Sequence, residues 1–123
     1  MGNTVAMDKA AFDAALEGEG IVFVDFWAAW CAPCRAFAPI FEAAARRHPD
    51  VTWAKVDTEA NRALAGAVGI RSIPTLMAFR DGLLVFEQSG VLAPTALDDL
   101  VAKIRTLDMA AVEAEIDRAN GEG

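Results

Sequence analysis

The chain has 123 residues, is 54% hydrophobic and carries a formal net charge of -7. That leaves room for one domain with a real core and not for a second. The negative balance argues against nucleic acid, whose phosphates it would repel, and every apolar run is broken by charge well short of a membrane-spanning length.

Met1 to Asp8 lacks a basic region followed by an apolar core, so no secretory signal is expected. Gly2 has no Ser or Thr at position 6 to support myristoylation. The expected location is the cytoplasm, where a dithiol is kept reduced. Thr4 to Ala6 is short enough for a first strand there to be vestigial. From Asp8 to Leu16, the residues Ala11, Phe12, Ala15 and Leu16 recur at helical spacing, and Gly18-Glu19-Gly20 ends the helix.

Ile21 to Trp27 is a run of β-branched and aromatic residues that reads as a buried strand. Its single charge is Asp25. Burial disfavours an ionised carboxylate and moves its pKa toward the range of a working proton acceptor. Standing just ahead of a cysteine pair, Asp25 reads as an acid–base group in preference to a strand-end residue reaching water.

Trp30-Cys31-Ala32-Pro33-Cys34 holds both cysteines of the chain, three positions apart, between that strand and an alanine-rich helix from Pro33 to His48. A strand entering a helix through Cys-x-x-Cys puts the first sulfur where unpaired N–H groups and the macrodipole favour negative charge. Cys31 is therefore expected to be a partly ionised nucleophile, with Cys34 one turn on to displace a mixed disulfide. Other readings are two buried apolar residues, part of a metal site, or a structural bridge. A metal is disfavoured because His48 is the only histidine, so Cys and His give at most three ligands. A bridge over so small a loop would constrain the unfolded chain little. Trp30 beside a reactive thiol is best explained by partner binding, whereas Trp27 and Trp53 read as core.

Phe37, Ile40, Phe41 and Ala44 are the packing face of the helix, Pro39 is expected to kink it, and Arg46-Arg47-His48 complement its dipole before Pro49-Asp50 stops it. His48 reads as a solvated cap. Val51 to Asp57 is the next strand, parallel to the first because a helix connects them, with Lys55 an outward residue on its alternating pattern. A short helix over Glu59 to Val68 leads to Gly69-Ile70-Arg71-Ser72-Ile73-Pro74-Thr75, in which Pro74 is a candidate for a cis bond. Thr75 to Phe79 and Leu83 to Ser89 flank Arg80-Asp81-Gly82, a hairpin signal. Gly90 lets another backbone approach closely. Pro94 opens a helix with Leu97, Leu100, Val101 and Ile104 on one face. Asp108 then caps an added helix over Met109 to Asn120 with a narrow stripe of Val112 and Ile116, and Gly121 to Gly123 is an expected disordered end. The expected organisation is a domain over 1–107 and an appendage over 108–123.

Val24-Asp25-Phe26-Trp27-Ala28-Ala29-Trp30-Cys31-Ala32-Pro33-Cys34, with Ile73-Pro74-Thr75, resembles the thioredoxin family from about Asp8 to Leu107. Arg35 to Glu42 and Gly69 to Pro74 are most similar to the bacterial members that carry an N-terminal zinc module; its four cysteines are not in this sequence. Ala32 stands where most members have glycine. The resemblance implies an α/β fold, with a central mixed sheet of four or five strands and helices on both faces. It implies protein-disulfide reduction: Cys31 attacks, Cys34 resolves, Asp25 assists deprotonation of Cys34, and Lys55 pairs with Asp25. It implies a cis Ile73-Pro74 bond and a substrate-binding patch of Trp30, Ala32, Pro33, Ser72, Ile73, Pro74, Gly90 and Val91. The implied partners are disulfide-containing substrate proteins and an NADPH-dependent thioredoxin reductase; a monomer is the simplest expectation. No cofactor is expected, because no Gly-x-Gly-x-x-Gly fingerprint for nicotinamide or flavin is present. The rivals are a disulfide oxidase or isomerase, disfavoured by the absence of histidine between the cysteines, and a chaperone-like binding module using the Trp30 patch.

Overall fold

Along the strand Ile21–Trp27, Val22, Val24 and Phe26 enter one apolar cluster and Phe23 enters another. A strand buried on both faces must lie in the middle of a sheet covered by helices on each side. The computed structural model describes residues 3–121, with elements β1 (Thr4–Ala6), α1 (Lys9–Glu17), β2 (Ile21–Trp27), α2 (Ala32–Arg47), β3 (Thr52–Asp57), α3 (Arg62–Ala67), β4 (Thr75–Arg80), β5 (Leu83–Ser89), α4 (Pro94–Arg105) and α5 (Met109–Gly121). The strands form one sheet in the order β1-β3-β2-β4-β5, parallel for β1, β3 and β2 and antiparallel for β4 and β5. The expected mixed sheet thus has five strands. β1 is a true edge strand, and Met7 N donates to the Lys55 carbonyl at 2.9 Å just past it.

One cluster joins Phe37, Phe41 and Ala44 of α2 to Phe23, Trp53 and Leu76 of the sheet and Leu97, Val101 and Ile104 of α4. On the opposite face Phe12 of α1 and Leu64 of α3 meet Val24, Phe26, Val56 and Met77. The starts of α1 and α5 are set locally. Asp8 Oδ1 accepts from Ala11 N at 2.9 Å to start α1, and Asp108 Oδ1 accepts from Ala111 N at 3.2 Å to start α5. In the β4–β5 hairpin both Asp81 (φ 54°) and Gly82 (φ 80°) adopt the left-handed conformation that the Asp-Gly pair signals.

Several expectations are corrected. α3 is shorter than Glu59 to Val68 because Asp57 Oδ1 accepts from Glu59 N at 2.9 Å, a side-chain turn that competes with helix. His48 ends α2 as foreseen, yet it is not solvated: Nε2 lies 2.7 Å from Asp98 Oδ1 and its ring stacks on Trp53. Trp27 is only half-buried, since it closes β2 at the sheet margin, whereas Trp53 is core. As expected, Pro39 lies within α2, which runs on past it to Arg47. Gly121 is helical, which leaves Glu122 and Gly123 of the expected disordered end outside the described residues. No local pattern hinted that Arg80 Nη1 would donate to the carbonyls of Ile104 and Leu107, at 2.8 and 2.9 Å, and so secure the end of α4 and the link to α5.

Two substitutions measure how this frame is held. Phe41→Ala, in a site without solvent exposure, is expected to cost about 3–5 kcal/mol in urea unfolding. Gly82→Ala is expected to cost about 1–3 kcal/mol, because its backbone is left-handed and an added Cβ would run into the Leu16 carbonyl oxygen.

Candidate active site

β2 ends at Trp27 and the chain turns once before α2 begins, with Cys31 N donating to the Ala28 carbonyl at 3.2 Å. Cys31 is the N-cap residue of α2, in extended conformation, with Pro33 in the first turn, where its missing N–H costs nothing. The Cys34 N–H points at Cys31 Sγ across 3.2 Å. The first turn contains no acidic residue, so a thiolate at Cys31 would meet the helix N-terminus and a directed N–H without an opposing carboxylate. The two sulfurs are joined as a disulfide, the oxidised state of such a pair. Arg35 Nη1 donates to the Ala29 carbonyl at 2.8 Å and braces the turn that carries Trp30.

The surroundings come from three other segments. The Ile73-Pro74 bond is cis, and the Ile73 carbonyl oxygen lies 3.7 Å from Cys31 Sγ. Gly90 N donates to the Pro74 carbonyl at 2.8 Å, tying the β5–α4 loop to the same spot. Trp30 is 67% exposed and Val91 44%, each far more than a core residue, while Cys31 and Cys34 are buried at 4% and 3%. Ser72 and Gly90 are exposed, Ile73 is half-buried, Pro74 is buried, and Ala32 and Pro33 sit exposed on the first turn of α2. Trp30, Ser72 and Ile73 share a cavity of about 350 Å³ with Thr58, Ile70 and Arg71. Ile70 and Arg71 stand in the same segment as Ser72 and Ile73, but Thr58 had no signal in motif spacing: the fold brings it in from the loop after β3.

Asp25 alternates onto the sheet face that α2 covers. It has no solvent exposure, and neither carboxylate oxygen has a hydrogen-bond partner. Burial raises its pKa to about 7, and the Lys55 charge works in the opposite direction. The two residues are neighbours in the β2–β3 register, but the expected pair does not form as a direct contact. Instead the lysine Nζ lies 5.0 Å from the centroid of the Trp27 ring, where a long side chain keeps its ammonium at the sheet margin and gains a cation–π contact.

A larger open hollow, of about 870 Å³, lies between β1, α1 and β3, and neither cysteine lines it. Among the described residues no cluster of three or more His, Cys, Asp or Glu could hold a metal ion.

Residues 3–106 match the family model described as Thioredoxin. A Streptomyces coelicolor protein whose name places it among the thioredoxins is 48% identical over 109 residues, 89% of this chain and 81% of its own. The Alicyclobacillus acidocaldarius thioredoxin is 40% identical over 82% of this chain and 97% of its own. Among solved structures, a mutant thioredoxin from Halobacterium salinarum superposes with a TM-score of 0.78 at 35% identity, over 85% of this chain and 92% of that one.

The buried carboxylate has a measurable signature. Its folded-state pKa of about 7 exceeds the ordinary 3.8, so the folded chain retains a proton that the unfolded chain releases. The stability this proton contributes is complete below about pH 4 and is lost as pH rises toward 7. Asp25→Ala is therefore expected to stabilise the oxidised protein more at pH 8 than at pH 4, by a difference on the order of a few kcal/mol in urea unfolding. An equal effect at the two pH values would contradict it.

Proposed function

The chain belongs to the thioredoxin family, and on that premise we propose how its own residues divide the work of protein-disulfide reduction. The reaction is dithiol/disulfide exchange at Cys31 and Cys34. Starting from the dithiol, the Cys31 thiolate attacks one sulfur of a substrate disulfide. A Cys31–substrate bond forms as the substrate S–S bond breaks, and the departing substrate thiolate takes a proton. Cys34 then gives up its proton and attacks Cys31 Sγ; the mixed disulfide breaks, the second substrate thiolate leaves, and the Cys31–Cys34 disulfide remains. Two electrons pass to the substrate.

The observation that carries this reading is the pair of sulfurs at the N-terminus of α2, with the Cys34 N–H directed at Cys31 Sγ. Asp25 accepts the Cys34 proton, through a water where direct contact is lacking; its burial and its pKa of about 7 support that role. Lys55 acts on it through its charge and keeps the carboxylate from rising further. Trp30, Ala32, Pro33, Ser72, Ile73, Pro74, Gly90 and Val91 form the face on which a disulfide-bearing protein docks. The restoring partner is an NADPH-dependent thioredoxin reductase, and the working state is a cytoplasmic monomer built on residues 1–107, with 108–123 dispensable for exchange. No helix among the described residues is long and apolar enough to cross a membrane.

The Cys31/Cys34 potential, measured against a reference dithiol by tryptophan fluorescence, is expected near the roughly -270 mV typical of thioredoxin. A value close to the strong oxidants, about -120 mV, would transfer the assignment to disulfide insertion. Cys34→Ser is expected to accumulate a mixed disulfide with substrate, seen by mass spectrometry, and Cys31→Ser to form none and lose all reduction. A double serine variant that still supports the biological role would favour the binding-module reading. Asp25→Ala is expected to slow mixed-disulfide resolution most at neutral pH, by roughly 10²-fold or more as for other general bases.

A further inference from the structure

Three hydroxyls lie where the two loops beside the sulfurs meet. Thr75 Oγ1 lies 2.7 Å from the Ser72 carbonyl oxygen, which can only accept, so the threonine proton is spent there. Ser89 Oγ lies 3.0 Å from Thr75 Oγ1 and must therefore donate to it. Ser72 Oγ lies 2.9 Å from Ser89 Oγ and donates in turn. Proton counting thus closes a ring: Ser72 hydroxyl to Ser89 hydroxyl, Ser89 to Thr75, and Thr75 back to the Ser72 carbonyl. Each hydroxyl donates once and accepts at most once, the arrangement in which hydrogen bonds reinforce one another.

The ring stands between the two segments that border Cys31. Ser72 precedes Ile73, whose carbonyl oxygen is 3.7 Å from Cys31 Sγ. Ser89 precedes Gly90, whose N–H reaches the Pro74 carbonyl at 2.8 Å, and Val91, one of the exposed apolar residues. Thr75 and Ser89 are also partners in the β4–β5 register, and Thr75 is 2% exposed, which gives the ring a fixed base. Besides the ring, the Gly90 N–H to the Pro74 carbonyl joins the second loop to the first.

We propose that Ser89 is a positioning residue for protein substrates: through the hydroxyl ring it fixes the Gly90-Val91 edge of the docking face against the Ser72-Ile73 edge. This rests on the exchange reaction described above. It touches neither sulfur, so the chemistry of the pair is left alone. A polypeptide that spans both edges meets two segments already set at the right separation; a small disulfide that needs only the sulfur gains nothing from the ring.

The test compares Ser89→Ala with Ser89→Thr, which keeps the hydroxyl, using excess dithiothreitol as reductant. Insulin is the protein substrate and an aromatic dinitro-dicarboxylate disulfide the small one. Removing one link of a ring is expected to raise KM for insulin roughly 2- to 10-fold in Ser89→Ala, in keeping with the net worth of a hydrogen bond. The kcat for insulin, the rate on the small disulfide and the Cys31/Cys34 potential should stay at wild-type values, and Ser89→Thr should restore KM. An unchanged KM, or a loss shared equally by both substrates, overturns the proposal. A wild type that fails on insulin would count against the exchange reading itself. The ring is then judged separately by hydrogen exchange at the Gly90 amide, expected at least about threefold faster in Ser89→Ala and unchanged in Ser89→Thr; equal exchange in all three overturns it.

Discussion

One backbone N–H, that of Cys34, aimed at the sulfur of Cys31 from 3.2 Å, sets the conditions for everything around it. It exists because β2 delivers the chain to a single turn and α2 begins at once, making Cys31 itself the cap of the helix. The unpaired donors of a helix start are ordinarily satisfied by a serine or aspartate oxygen. Here a sulfur takes that place. The geometry that completes the helix would also stabilise a thiolate at Cys31, with no separate cation needed beside it.

The rest of the fold is a mounting for that junction. α2 can hold its first turn still because Phe37, Phe41 and Ala44 anchor the following turns in a cluster shared with β2, β3 and α4. The cost appears at Asp25, a carboxylate with no exposure and no hydrogen-bond partner on the same central strand. A core assembled only for stability would not place such a group there, since an apolar residue of similar size would avoid the desolvation. Carboxylates perturbed in this way concentrate at functional sites, in keeping with the proton-accepting role proposed above for Asp25.

Much of this was legible in the residues. The bounds of β2 and β5, the opening of α4 at Pro94 and the Asp108 cap of α5 follow from alternation, proline placement and capping chemistry, which are local rules. The cysteine pair and the buried Asp25 were also readable, because each is a chemical anomaly within its own segment. What could not be read depends on residues distant in sequence. The Asp98 partner of His48 lies 50 positions away, and the grip of Arg80 on the Ile104 and Leu107 carbonyls depends on where α4 ends. Thr58, from the loop after β3, became part of the Trp30 cavity only once two loops converged. The pairing of Lys55 with Asp25 was right in register and wrong in contact, since a register fixes Cα neighbours while a flexible side chain chooses its own end point.

The position of Arg80 has a consequence for how this molecule could be handled. β4 runs from Thr75, level with Phe26, to Arg80, level with Ile21, so its guanidinium secures the α4–α5 link at the end of the sheet remote from the sulfurs. At about 3.3 Å per residue, the length of the strand separates the two ends. Val112 and Ile116 of α5 line a small hollow with Leu84 and Val85 at that same far end. A label, a surface tether or a fused domain joined through α5 would therefore trail behind the reactive face, leaving an immobilised molecule oriented with its dithiol outward.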